Sequence, residues 1–107
     1  MTPQDRGTRV DATVEVRHNA AASRFEATVD GLLCVANYHL VDGVMRIHHT
    51  EVPVTLKGRG IAGQIVRTAF TYAEANRLEV EPWCGYVRAY MKRHTETQRL
   101  LPKGFRI

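Results

Sequence analysis

Hydrophobic and polar residues alternate along the first half of the chain, as they do in strands that have one buried face. This pattern covers residues 10–16, 25–29, 32–40 and 44–50. The dipeptides Asp30-Gly31 and Asp42-Gly43 separate the last three segments. Because Asp-Gly readily adopts the positive φ angles of two-residue hairpin turns, the pattern predicts four strands joined as an antiparallel meander.

After Pro53 the period changes, and within residues 60–77 apolar side chains recur every three or four positions. The stripe consists of Ile61, Ala62, Ile65, Val66, Ala69, Phe70 and Ala73. It predicts an amphipathic helix. Residues 78–84 then alternate as a short strand, and residues 86–94 predict a second helix. A strand–helix–strand crossover of this kind is right-handed and makes its two strands parallel.

The predicted fold is therefore α/β (α+β), in the order β-β-β-β-α-β-α, with a mixed and mostly antiparallel sheet. At 107 residues the chain has the length of a single domain. We expect residues 1–107 to form one domain, with a core at about residues 10–94 and a C-terminal tail at 95–107. The pattern does not place the tail.

The composition of the chain bears on its cellular location and on whether it binds a metal. No apolar run approaches the roughly 20 residues of a membrane span, and the first residues lack the apolar segment of a secretory signal. We therefore expect a cytoplasmic protein that has no membrane partner. The two cysteines form no C-x-x-C pair, and the adjacent His48 and His49 point to opposite faces of a strand. No metal site is expected.

The start of the predicted helix lacks the usual capping residue. Ser, Thr, Asp or Asn normally accepts a hydrogen bond from the first free N–H groups, whereas this chain has Lys57-Gly58-Arg59-Gly60. Glycines let an anion approach the backbone, and the positive end of the helix dipole attracts it. The net charge of +4 is compatible with an anionic cofactor, with a nucleic acid, or with no specific ligand. The alternative is a plain turn, with Thr55 as a distant cap.

A wider set of motifs resembles a known family. A strand, then K-G-R-G-I-A, an amphipathic helix and a strand that ends in Cys resemble the GNAT-type N-acetyltransferases, whose signature is Arg/Gln-x-x-Gly-x-Gly/Ala. Gly60 and Ala62 match its two small positions, while Lys57 departs from Arg or Gln. The string HTEVP…KGRGIAG…PWCGY is similar to the small Yjdj-type subfamily. The likeness runs over residues 25–93.

This resemblance implies acetyl-CoA, or coenzyme A, as co-substrate. A strand segment would lie beside the pantetheine arm, and the helix start would surround the pyrophosphate. The cofactor-binding positions implied in this way are Val52, Pro53, Val54, Lys57, Gly58, Arg59, Gly60, Ile61 and Ala62.

Four leading candidates and one second choice are available for the transfer chemistry, which needs a base, a nucleophile and an acid for the departing thiolate. Cys84 precedes a helix start, where a thiol pKa tends to fall, and is either an acetyl acceptor or a small core residue. His49 and Glu51 are expected on the strand face of Met45 and Ile47, either as bases or in structural roles. Tyr90, ahead of Tyr86, is the candidate acid, with packing as the alternative.

The acceptor is less defined. By resemblance, larger members of the family insert helices after the first strand, and residues 18–24 are too short for them. An open acceptor groove would suit a protein or polyamine-like amine, or a homodimer that completes the wall. A second hypothesis is a module that binds acetyl-CoA without turnover. Nucleic-acid binding is disfavoured because the strands lack aromatic pairs that could stack on bases.

Overall fold

The computed structural model describes residues 13–107 and contains a five-stranded sheet with two α-helices. The strands are β1 (Arg17–Asn19), β2 (Arg24–Val29), β3 (Leu32–Val41), β4 (Val44–Glu51) and β5 (Glu79–Pro82), and the helices are α1 (Ile61–Ala75) and α2 (Gly85–Arg93). The strands lie in the order β1-β2-β3-β4-β5. Pairing is antiparallel up to β4 and parallel between β4 and β5. The predicted α+β class and element order are confirmed.

Both hairpin turns have the geometry that the Asp-Gly dipeptides predict. Asp30 and Gly31 have φ angles of 51° and 75°, and Asp42 and Gly43 have φ angles of 50° and 78°. Two consecutive positive φ angles match the right-handed twist of the flanking strands, so these turns fix the register of β2, β3 and β4.

The two helices pack on the same face of the sheet. The stripe of α1 is buried as predicted at Ile61, Ile65, Val66, Ala69, Phe70 and Ala73, whereas Ala62, its seventh predicted member, is only partly buried. Phe70 contacts Tyr90 of α2 edge to face, with ring centroids 5.7 Å apart. Cys34 is a core residue with no exposed surface. The opposite face carries ion pairs between strand residues, including Arg24–Glu26 at 2.6 Å and Arg46–Glu81 at 3.1 Å.

The first strand lies later in the chain than its pattern predicted. Residues 10–12 fall outside the described part, and residues 13–16 form no strand. The Val14 N–H donates to Gln64 Oε1 of α1 at 2.9 Å, so this segment is held by the helix. In β1, the His18 ring stacks on Phe25 at 4.2 Å, and His18 Nε2 lies 2.6 Å from the Tyr38 hydroxyl. These ring contacts favour pairing of residues 17–19 with β2, just after the alternating segment 10–16.

The C-terminal residues pack back on the helices. A 3₁₀ segment at Thr95–Leu100 follows α2, and Leu100, Leu101 and Ile107 lie against the core. Arg99 Nη2 contacts both carboxylate oxygens of Glu74 in α1, at 2.7 and 2.8 Å. Within residues 13–107 no helix has the length and apolarity needed to cross a membrane.

Candidate active site

A β-bulge in β4 decides which side chains face the helices. Ile47 pairs with Tyr38 and His49 pairs with Asn37, so His48 is an extra residue in β4. Directly paired residues lie on the same face of a sheet. Thr50 pairs with Ala36, a core residue, and therefore faces the helices.

The bulge contradicts the predicted placement of His49 and Glu51. Both were expected on the face of Met45 and Ile47, but one inserted residue reverses the alternation beyond it. Their side chains lie on the far face, 52% and 68% exposed, with His49 Nε2 3.3 Å from Glu51 Oε1. The structure therefore brings Thr50, and not His49 or Glu51, towards the helices.

Strands β4 and β5 separate just beyond the bulge. Their parallel pairing ends with Ile47 and Pro82, where the Trp83 N–H donates to the Ile47 carbonyl at 2.9 Å. A groove of about 460 Å³, here called the α1 groove, opens beside the start of α1. Its lining consists of Thr50, Val52, Leu56, Lys57, Gly58, Gly60, Ile61, Ala62, Gly63 and Tyr86. A site at the carboxyl ends of diverging parallel strands is typical of α/β folds.

The start of α1 faces this groove without a side-chain cap. Gly60, the N-cap residue, has φ 76°, and Gly58 has φ 83°, conformations that favour glycine. No side chain caps the helix, so the alternative in which Thr55 acts as a cap is wrong. The first turn also lacks an acidic residue. The first N–H groups, at Ile61, Ala62 and Gly63, have no acceptor inside the helix and belong to groove-lining residues.

Six of the nine predicted cofactor positions line the α1 groove: Val52, Lys57, Gly58, Gly60, Ile61 and Ala62. The other three do not. Val54 is 80% exposed in the 3₁₀ turn that follows Pro53, and Arg59 Nη1 is 3.2 Å from Asp30 in the first hairpin turn. The arginine is thus directed away from the groove, and Lys57 is the cation that lines it.

Cys84 is the N-cap residue of α2, and its Sγ lies 3.5 Å from Thr50 Oγ1. Burial raises the pKa of the Cys84 thiol, whereas the hydrogen bond with the Thr50 hydroxyl lowers it. The backbone N–H groups of Val87, Tyr86 and Thr50 add to the lowering, and the resulting pKa is below the ordinary value of a thiol. The sulfur forms no regular capping hydrogen bond, so the α2 amides act on it as local dipoles.

The two candidate tyrosines have different surroundings. Tyr90 is buried between Phe70 and the neighbouring rings of α2, and burial raises the pKa of its hydroxyl. It does not line the α1 groove. Tyr86 does, and its hydroxyl lies 3.4 Å from where a Cβ on Gly63 would stand. A glycine at position 63 therefore leaves room for the Tyr86 ring beside the start of α1.

Thr50, Leu56 and Gly63 line the groove although no motif singled them out. For Thr50 the chain does contain a signal. The apolar residues Met45 and Ile47 occupy odd positions and Val52 an even one, a change of phase that indicates an inserted residue. Within residues 13–107 no three His, Cys, Asp or Glu side chains form a group that could hold a metal ion.

Comparisons with known proteins agree with this architecture. Residues 24–100 match a family model described as GCN5-related N-acetyl-transferase. Protein NATD1 from Gallus gallus is 28% identical over 90 residues, which cover 81% of this chain and 82% of that protein. Protein NATD1 from Homo sapiens is 28% identical over 90 residues, covering 81% of this chain and 80% of that protein.

A solved structure shares the fold. The solution NMR structure of a GCN5-like protein from Staphylococcus aureus has a TM-score of 0.67 to this chain at 21% identity. The match covers 83% of this chain and 88% of the other. At this identity the likeness supports the arrangement of strands and helices.

The contact between Thr50 and Cys84 gives a first prediction. Thr50→Val keeps the shape of the side chain but removes the hydroxyl, so the pKa of the Cys84 thiol should rise, whereas Thr50→Ser should retain the lower pKa. The pH dependence of iodoacetamide alkylation, with the modified peptide identified by mass, measures this. Cys34 is buried and serves as the unreactive internal reference. Equal alkylation profiles for Thr50→Val and wild type would contradict the assignment.

Proposed function

Since this chain belongs to the GCN5-related N-acetyltransferase family, we propose that it binds acetyl-CoA in the α1 groove and transfers the acetyl group to an amine. The observation that carries the proposal is the uncapped start of α1, which opens into the groove beside two glycines in the left-handed conformation. The P-x-C-x-Y sequence at Pro82–Tyr86 extends the proposal to the Yjdj-type subfamily.

The pyrophosphate of the co-substrate would lie at the first turn of α1. The N–H groups of Ile61, Ala62 and Gly63 lack intrahelical acceptors, and phosphate oxygens suit such donors. Lys57 lines the same groove, is exposed, and forms no ion pair within the described residues, so its charge is available to a phosphate. Without Cβ atoms, Gly58 and Gly60 allow close approach of the ligand to the backbone.

The arm of the co-substrate would then run along β4 towards Thr50. Val52 lines the groove between the helix start and the bulge, which gives the arm an apolar wall. Thr50 of β4 and Tyr86 of α2 both line the groove. The thioester would therefore lie between these two side chains, next to the sulfur that Thr50 contacts.

In this proposal the acetyl group passes through Cys84. Acetyl-CoA supplies an activated acyl group when bound. The Cys84 thiolate, favoured by the Thr50 hydroxyl and the α2 amides, is the nucleophile, and the hydroxyl of Tyr86, which lines the α1 groove, is the candidate to protonate the departing thiolate. Tyr90 takes no part because it is buried in the core, and neither do His49 and Glu51, which lie on the far face.

Gly60→Asp tests the pyrophosphate site. A carboxylate at the helix start repels phosphate at close range, so the affinity for CoA should fall about tenfold or more. Gly60→Asn is the matched control, because Asn has the same shape without the charge and also tolerates a positive φ. Isothermal titration of CoA into the three proteins measures the effect. The placement is wrong if Gly60→Asp binds CoA as tightly as Gly60→Asn.

Acetylation of the protein itself tests the route of transfer. After incubation with acetyl-CoA, the intact mass of wild type and of Cys34→Ala should rise by one acetyl group, and Cys84→Ala should show no adduct and should have lost transfer to a panel of amines. A Cys84→Ala variant that transfers at the wild-type rate would establish direct transfer instead. Binding of CoA with no transfer to any amine would favour a module that binds the co-substrate without turnover.

A further inference from the structure

A second groove lies on the other side of Cys84. It has a volume of about 260 Å³ and is here called the Trp83 groove; its lining is Pro82, Trp83, Cys84, Gly85, Arg88 and Phe105. None of these residues lines the α1 groove. Pockets for small molecules usually enclose about 300–1,000 Å³, so the Trp83 groove suits a ligand of amino-acid size.

Cys84 lines the Trp83 groove directly and is related to the α1 groove through Thr50, a lining residue of that groove that the Cys84 side chain contacts. An acyl group on this sulfur could thus arrive from one side and be attacked from the other. In such a covalent route the donor and the acceptor occupy separate grooves, so the acceptor does not compete with CoA for space.

Trp83 forms a fixed aromatic wall of the second groove. Its side chain is 60% exposed, yet its indole N–H donates to Glu81 Oε1 at 2.8 Å, and the Arg46 guanidinium lies 5.6 Å from the ring centroid. Arg46 also pairs with Glu81, so these three side chains hold one another in place. A held but exposed indole, with Phe105 in the same lining, offers a surface for an aromatic or large apolar group.

Arg88 gives the Trp83 groove a positive charge. It lies one helical turn after Cys84, so the two side chains lie on the same face of α2. Its Nη1 donates to the Arg106 carbonyl at 3.4 Å, and it has no carboxylate partner within residues 13–107. A guanidinium with free donors is well suited to a carboxylate, which it can bind through two parallel hydrogen bonds.

We propose that the Trp83 groove is the acceptor site and that its ligand is a free α-amino acid with an aromatic or large apolar side chain. This inference rests on the proposed acetyl transfer. The carboxylate would pair with Arg88, the side chain would lie against Trp83, and the amine would reach the acetyl group on Cys84. A polyamine fits less well, because Arg88 repels a second cation.

The transfer step balances as follows. The neutral amine nitrogen attacks the carbonyl carbon of the acetyl thioester, an N–C bond forms, and the C–S bond to Cys84 breaks. The sulfur keeps the bonding electron pair and returns to the thiolate. The proton displaced from nitrogen passes to water, and the product is an N-acetyl amino acid.

The single tryptophan of the chain makes this site directly observable. L-Phenylalanine does not absorb where tryptophan alone is excited, so its titration should change the Trp83 fluorescence saturably. Phenethylamine lacks the carboxylate and should bind about tenfold more weakly, since a hydrogen bond to a charged group typically contributes a factor of this size. Spermidine should leave the fluorescence unchanged.

Two substitutions in α2 distinguish a specific role of Arg88 in the Trp83 groove from a general effect of removing positive charge. Arg88→Gln should weaken phenylalanine binding about tenfold, whereas Lys92→Gln, which removes a charge outside the groove lining, should leave it unchanged. Incubation with acetyl-CoA and phenylalanine should also yield N-acetylphenylalanine by mass spectrometry, with less product from Arg88→Gln.

Titration of CoA in the same preparations distinguishes the two proposals. If CoA binds but phenylalanine changes neither the fluorescence nor the products, the acceptor assignment is overturned and the donor site stands. Equal binding of phenethylamine and phenylalanine would overturn the role of Arg88 and the amino-acid class. If phenylalanine binds and CoA does not, the proposed function fails, and the acceptor role fails with it.

Discussion

The site depends on one inserted residue in β4. Without the bulge at His48, simple alternation would turn Thr50 to the far face and bring His49 and Glu51 towards the helices. With it, Thr50 contacts the Cys84 sulfur, and β4 diverges from β5 just after their last pair, Ile47–Pro82. The register shift therefore orients the hydroxyl that borders the groove, at the point where β4 and β5 separate.

The second constraint is the start of α1. A helix with glycine at its N-cap lacks the side-chain hydrogen bond that Ser or Asp would supply, at a cost of roughly a few tenths of a kcal/mol. Here Gly60 occupies the N-cap position and the first turn has no acidic residue, so those donors stay available at the groove. Cys84 takes the equivalent position on α2, where the helix amides act on a thiol instead. In the proposed function, the start of α1 thus binds the pyrophosphate of the co-substrate, and the start of α2 lies next to its acetyl group.

Much of this architecture could be predicted from the sequence, because it follows from period and turn chemistry. The stripe of α1, the Asp-Gly turns and the exposed glycines at the helix start lie where the pattern put them. Simple alternation put His49 and Glu51 on the wrong face. The change of phase between Ile47 and Val52 indicates an inserted residue, but which residue is inserted depends on the pairing with β3. The position of β1 depended on ring contacts of His18 with residues distant in sequence. The Trp83 groove could not be predicted because Phe105, one of its lining residues, belongs to the C-terminal segment, whose position no hydrophobic period indicated.

The central claim is that the N–H groups at the start of α1 bind the pyrophosphate of coenzyme A. Backbone amide chemical shifts, followed by NMR in ¹⁵N-labelled protein during a titration with CoA, test it most directly because they observe those groups themselves. The account predicts that the largest shifts occur at Gly58, Gly60, Ile61, Ala62 and Gly63. Binding of CoA that leaves the chemical shifts of these five amides unchanged would contradict the claim.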